Sequence, residues 1–285
     1  MKIREIWTHS HKLLSQNLNP DPWFESEVLL RHTMRMSREK FFASLADEID
    51  QETKLATIKT LERRISGEPV AYILGYREFY GLNLMVNPDV LIPRQETELL
   101  VESVLEISKS QQPDTHLKIV DVGTGSGAIA ISLAKYLDQT TIYATDLSKA
   151  ALQIAKINRQ THMVSEKIRL FHGDSLEPIQ DLVDIIVSNP PYLTTDEITH
   201  LPLHLGAEPE MALHGGFDGL DIIRKLVNQS PKYIRPGGHL LIEISPNQLV
   251  EVIELSKNVF RENNLTTYHD LLGLPRVIDI AIPHI

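Results

Sequence analysis

Residues 188–193 of this 285-residue chain read SNPPYL and follow the apolar run VDIIV. Pro190 restricts Asn189 to an extended backbone at the end of a buried strand, and neither Pro190 nor Pro191 has an amide hydrogen. The corner therefore offers acceptors: the side-chain oxygen of Asn189 and the proline carbonyls. Such a rigid pair suits the two hydrogens of a planar NH2 group. That nitrogen is a poor nucleophile, because its lone pair is delocalised into the adjoining system. Gripping both hydrogens aligns it and favours positive charge developing on it, while Tyr192 can stack on the flat group. The chemistry that fits is attack on a strong electrophile needing little acid or base help, and a methyl sulfonium is one. An isolated NPPY could equally be a proline turn that ends a strand; its place in the chain argues against that.

Upstream, IVDVGTGSGAIAISLA (119–134) reads as a strand, a tight glycine turn and a helix. Gly123, Gly125 and Gly127 have no side chains and let the backbone approach a ligand. Asp146, in YATDLS, ends the next strand, where a carboxylate can accept hydrogen bonds from both hydroxyls of a ribose. The turn alone does not identify the cofactor. Gly123, Gly125 and Ala128 also satisfy the dinucleotide fingerprint, with Asp146 near its acidic position. A hydride-transfer enzyme, however, has no evident use for the acceptor pair at 189 and 190.

Several elements must position these residues. From about Glu96, short apolar strands (LKIVDV, TIYATD, IRLFHGD, VDIIVSN, HLLIEIS, RVIDIAI) alternate with helical segments, which predicts a mostly parallel sheet covered on both faces. Residues 1 to about 70 predict a small helical bundle. Asp21 and Pro22 start one helix there, and Asp50 caps another that carries Leu55, Ile58, Leu61 and Ile65 and ends at Gly67 and Pro69. Between them REFYGLNLMVNPDVLIPR, with Gly81, Pro88 and Pro93, predicts a short hairpin linker. The expected division is 1–75 helical, 76–92 linker and 93–285 α/β domain.

Composition narrows the class. The chain has no cysteine, which excludes disulfides, zinc–thiolate sites and thiol nucleophiles and suits a reducing compartment. Its formal charge of −10 gives no global support for wrapping a phosphate backbone. No membrane-spanning run and no signal peptide is evident, so a cytoplasmic protein is expected. His200 and His204 are spaced like metal ligands, but Pro202 lies between them and no zincin glutamate accompanies them, so no metal is expected. Arg63 and Arg64 could meet an anionic partner or simply end a helix.

The ordered pair DVGTGSGAIAISLA and NPPY resembles S-adenosylmethionine-dependent methyltransferases acting on planar NH2 groups. The stretches EPVAYILGYREFYGLNLMV, VLIPRQETELLV, EPEMALHGGFDGLDIIRKL and GGHLLIEIS narrow this to the release factor glutamine methyltransferase (PrmC/HemK) family, over about residue 68 to the C-terminus. The resemblance implies an α/β fold: a seven-stranded Rossmann-like methyltransferase sheet with an antiparallel last hairpin, preceded by a helical domain that helps to dock substrate. It implies methylation of the glutamine amide in the Gly-Gly-Gln motif of class I peptide chain release factors. S-adenosyl-L-methionine would be the cofactor, S-adenosyl-L-homocysteine the product, and the protein a monomer without stable nucleic-acid binding. By position, Asp121, Gly123, Thr124, Gly125, Gly127, Asp146, Leu147, Asp174, Ser175 and Asn189 would form the cofactor site, with Asp174 near the adenine. Asn189, Pro190 and Tyr192 would be catalytic and, with Pro191, hold the substrate. Two departures stand out: Ser175 where many members carry an aromatic residue, and Gln95 in place of a common proline. The rivals are adenine methylation on DNA or RNA, a noncatalytic cofactor-binding adapter of a translation factor and, weakest, a dehydrogenase.

Overall fold

A computed structural model describes residues 1–16, 21–110, 112, 115–202, 206–260 and 264–283. The chain divides into two compact units, Met1–Tyr76 with Pro202–Ala207, and Arg77–Leu201 with Glu208–Ile285.

The first unit contains helices α1 (Ile3–Ser15), α2 (Pro22–Met34), α3 (Arg38–Ala43), α4 (Gln51–Ile65) and α5 (Val70–Leu74). The Asp21 carboxylate accepts from the Phe24 amide at 3.1 Å and Asp50 from the Thr53 amide at 2.6 Å, so both expected caps satisfy otherwise unpaired first-turn donors. Its core joins Ile3, Ile6, Leu30 and Phe41, with a second cluster of Leu14, Leu29, Leu61 and Ile73. The apolar residues that announce α4 are mostly not the ones it buries. Leu55, Ile58 and Ile65 are exposed, while Thr57 and Leu61 face inward. Arg64 pairs with Glu25 at 2.7 Å and Arg63 with Glu68 at 2.5 Å, so both arginines are engaged within this unit.

A hairpin of β1 (Tyr76–Phe79) and β2 (Leu82–Met85) precedes the sheet domain. There follow α6 (Glu98–Lys109), β3 (Leu117–Val122), α7 (Ala128–Tyr136), β4 (Thr140–Asp146), α8 (Lys149–Thr161), β5 (Ile168–His172), β6 (Val183–Ser188), α9 (Thr195–Thr199), α10 (Asp221–Gln229), β7 (Ile234–Glu243), α11 (Leu249–Val259), β8 (Asn264–His269) and β9 (Pro275–Ala281). The seven strands lie in the order β5-β4-β3-β6-β7-β9-β8. The first five are parallel, and β9 runs antiparallel to both β7 and β8. This is a Rossmann-like methyltransferase sheet.

Alternation along β3 shows how both faces are covered. Leu117 and Ile119 join a core with Leu100, Ile131 and Leu133 from α6 and α7, while Val120 and Val122 join one with Ile223, Leu226 and Val252 from α10 and α11. Strand order reverses between β3 and β6, and that switch point opens a crevice at the carboxyl ends of the strands. The hairpin is tied to this domain by Asn158 of α8, whose Oδ1 accepts from the Met85 amide at 2.7 Å. Its Nδ2 donates to the carbonyls of Met85 and Ser126, both at 2.9 Å. Among the described residues no helix is long and apolar enough to cross a membrane.

Candidate active site

Sheet register brings the site together. Val122 on β3 pairs with Thr145 on β4 and with Ser188 on β6, and Ser188 pairs with Ile242 on β7. One residue further along each strand come Gly123, Asp146, Asn189 and Glu243. Residues scattered over 120 positions thus end side by side at the switch point.

A cavity of about 150 Å³ lies there, lined among others by Gly123, Gly125, Asp146, Leu147, Asp174, Ser175, Asn189 and Pro191. Asp146 accepts from the Gly125 amide through Oδ2 and from the Ser148 amide through Oδ1, both at 2.8 Å, which fixes its plane and leaves lone pairs on both oxygens. Burial raises its pKa, and the two amides and His172 pull the other way. Gly123 has φ +72°, and a Cβ built on it would meet nothing within 4 Å, so a ligand can lie directly against this backbone.

The other residues expected around a cofactor divide by position. Gly127 does not line the cavity; a Cβ there would stand 2.8 Å from Ile131 Cδ1 and 3.4 Å from Ala155 Cβ, so this glycine serves close helix packing. Thr124 is buried and donates its hydroxyl to Asp121 Oδ2 at 2.6 Å, which also accepts from the Ala130 amide at 3.2 Å. Asp121 sits beneath the turn as its anchor, fully buried, with Oδ1 unpaired. Desolvation lifts its pKa to about 7, opposed by its two hydrogen bonds and helped by the nearby charge of Asp146. Asp174 pairs with Lys225 at 2.5 Å. Ser175 lines the cavity and holds φ +55°, with its hydroxyl buried and without a hydrogen-bond partner.

At the other end, Asn189 Nδ2 donates to Thr97 Oγ1 at 2.9 Å. Among the described residues no donor reaches Asn189 Oδ1 or the Pro190 carbonyl. Tyr192 does not line the cavity: its ring packs into the core below, and its hydroxyl points to Glu243 Oε1 at 3.4 Å. Glu243 is 1% exposed. Burial raises its pKa to about 7; the Thr97 hydroxyl beside it opposes this first, Glu96 adds to it, and Arg276 and the Tyr192 hydroxyl also oppose it. Its Oε2 is buried without a hydrogen-bond partner, and the neighbouring Thr97 hydroxyl favours the charged form of the carboxyl.

Two loops brace this corner. Glu208, buried, accepts from Arg94 at 2.5 Å and from the Ile92 amide at 3.0 Å, which holds the IPRQETE stretch in place despite Gln95 standing where a proline would stiffen it. The HGGFDGL loop lies against NPPY: Gln248 Nε2 bridges the carbonyls of Tyr192 and Gly219, each at 3.0 Å. Gly219 is at φ +76°, with the Tyr192 carbonyl oxygen only 2.3 Å from where a Cβ would stand, so no other residue fits there. Sequence reasoning missed Thr97, Glu208, Glu243 and Asn158. A lone acid ending the apolar strand HLLIE was the one available signal for Glu243. His200 caps the end of α9, its Nδ1 2.8 Å from the Asp196 carbonyl oxygen, whereas His204 lies outside the described residues.

Comparison with known proteins gives the chain's family. Residues 5–75 match the PrmC N-terminal domain and residues 95–204 the Methyltransferase small domain. The release factor glutamine methyltransferase of Moorella thermoacetica is 40% identical over 277 residues, covering 97% of each chain. That of Coxiella burnetii is 40% identical over 273 residues, covering 94% of this chain and 95% of the other. The structure of ribosomal protein L11 methylase from Lactobacillus delbrueckii subsp. bulgaricus superposes with a TM-score of 0.51 at 19% identity, covering 73% of this chain and 91% of that one, which is a likeness of fold. Near-full-length identity of this order, spanning the helical unit as well as the sheet, shows that the chain belongs to the release factor glutamine methyltransferase family.

Proposed function

We propose that the protein transfers a methyl group from S-adenosylmethionine to the side-chain amide nitrogen of the glutamine in the Gly-Gly-Gln motif of class I peptide chain release factors. The observation that supports this best is that Asn189, which lines a cavity also lined by Asp146, has no donor on its Oδ1 among the described residues, with the unengaged Pro190 carbonyl next to it in the chain. The residues suit this cofactor. Asp146 has lone pairs left for two ribose hydroxyls, Gly123 leaves open the space a side chain would fill, and Asp174 lines the same cavity. The bound sulfonium supplies an electrophilic methyl.

The chain supplies position and electrostatics. Asn189 Oδ1 and the Pro190 carbonyl take the two amide hydrogens, turning the nitrogen's face toward the cofactor end. As the nitrogen gains a fourth substituent and positive charge, both acceptors draw closer to its hydrogens and stabilise that charge. One proton of the methylated, cationic nitrogen then passes to solvent water. No general base is required before transfer, since the acceptors polarise the N–H bonds without removing a proton.

The test is a labelled-methyl assay offering a release factor, duplex DNA and RNA in parallel, with mass spectrometry to locate the modified residue. Label on the motif glutamine is expected. Label in nucleic acid alone overturns the substrate assignment, and an unchanged release-factor mass despite cofactor binding favours an adapter. Asn189→Ala should lower kcat about a hundredfold to a thousandfold, by analogy with loss of a preorganised hydrogen-bonding group.

A further inference from the structure

A side-chain amide is nearly symmetric in shape, so its oxygen and nitrogen can exchange places at little steric cost. At Asn189 the exchange is not neutral: with its NH2 facing the substrate nitrogen, donor would meet donor and the acceptor pair would be lost. Something must select the orientation with Oδ1 toward the cavity. Thr97 is placed to do so. It stands at the N-cap of α6, where a threonine hydroxyl ordinarily accepts from the helix's first amides, yet its side chain makes no such bond. The hydroxyl instead accepts from Asn189 Nδ2 at 2.9 Å and lies beside the Glu243 carboxyl, and Thr97 is only 4% exposed. A hydroxyl has one hydrogen. When that hydrogen points to Glu243, the Thr97 oxygen can only accept, and the amide must offer it NH2.

We propose that Thr97 and Glu243 are positioning residues: the Glu243 carboxylate takes the Thr97 hydroxyl hydrogen, and Thr97 thereby holds Asn189 with Oδ1 presented to the substrate nitrogen. The register places Glu243 beside Asn189 on the adjoining strand, and Tyr192, also of the NPPY corner, directs its hydroxyl at the same carboxyl. Glu243 thus orients two residues of the substrate corner without touching the substrate. The proposal rests on the glutamine reading above and adds the means by which Asn189 is oriented.

Thr97→Val tests it, because valine keeps the shape and removes the hydroxyl, and α6 loses no cap. The assay uses the full chain, labelled S-adenosylmethionine and a release factor. A fall in kcat of about tenfold to a hundredfold is expected, the scale of losing alignment at a reacting atom. The affinity for S-adenosylhomocysteine by calorimetry should stay within about twofold, and Thr97→Ser should restore most of the rate. Glu243→Gln, whose amide can donate to Thr97 and reverse the hydrogen, should also lower kcat and spare cofactor affinity. Wild-type kcat in Thr97→Val overturns the proposal. So does equal impairment of Thr97→Ser, which would assign the role to packing of the γ-methyl, and so does a loss confined to cofactor affinity. A wild-type protein that leaves the glutamine unmodified overturns the glutamine reading itself; an active wild type with an unimpaired valine variant overturns the positioning role alone.

Discussion

Asn158 invites the sharpest stability test. Its side chain is 1% exposed and satisfies three backbone groups at once: the amide and carbonyl of Met85 in the hairpin, and the carbonyl of Ser126 in the glycine turn. In Asn158→Ala, the Ser126 carbonyl is left in a buried setting, which costs about 1–3 kcal/mol. The Met85 groups are partly buried, and water can replace part of what they lose, so each adds about 0.5–1.5 kcal/mol. The expected destabilisation is therefore about 2–6 kcal/mol, centred near 4. For a unit of this size, each kcal/mol lowers the melting midpoint by roughly 2–4 °C, so a drop of about 8–16 °C is expected at that central value. Urea unfolding followed by far-UV circular dichroism measures the loss. Both tryptophans, Trp7 and Trp23, lie in the helical unit, so tryptophan emission reports that unit separately. Asn158→Asp should do no better than alanine, because it sets a carboxylate against two carbonyls. A loss below about 1 kcal/mol in Asn158→Ala would refute the reasoning, by showing that these groups find other partners.

Three further outcomes follow from the site. Asp146→Ala should weaken S-adenosylhomocysteine binding about tenfold to a hundredfold by calorimetry, the worth of hydrogen bonds to a charged group. The Asp121 carboxyl has a pKa of about 7 in the folded chain against an ordinary 3.8, so the folded state binds its proton more tightly; its contribution to stability is full below about pH 4 and is lost as pH rises through about 7. Asp121→Asn removes that dependence, and denaturant midpoints should show the variant gaining on wild type between pH 4 and pH 7. Gly127→Ala should cost about 1–3 kcal/mol in unfolding, because φ is +84° and Ile131 Cδ1 stands 2.8 Å away, with cofactor affinity retained; Gly123→Ala, facing open space, should lose affinity.

What could be read without coordinates was local. A strand, a glycine turn and a helix occupy consecutive residues, and NPPY states its own backbone preference, so Gly123, Asp146 and Asn189 stood out with the sheet that carries them. Thr97, Glu243, Glu208 and Asn158 did not, because their roles depend on partners far along the chain. The Thr97–Asn189 contact spans 92 residues, Asn158–Met85 73, and Tyr192–Glu243 51. Nothing in a threonine at a helix start says that its hydroxyl will turn away from the helix. Periodicity likewise located α4 but not its inner face, since Leu55, Ile58 and Ile65 remain in water while Leu61 alone of the four is buried. Helical spacing reports a shape, and the neighbours decide which side of it is covered.

The Glu208 clamp has a consequence for the order of events during folding. Its two bonds join residues 114 and 116 positions apart, so neither can form until the chain carrying β3, β4, β5 and β6 has been made. The stretch bearing Thr97 therefore stays unclamped until all four of those strands have been synthesised. A chain not yet extended to residue 208 already carries the glycine-turn residues and lacks the clamp on the corner that grips a substrate, so competence for chemistry waits on late-made residues.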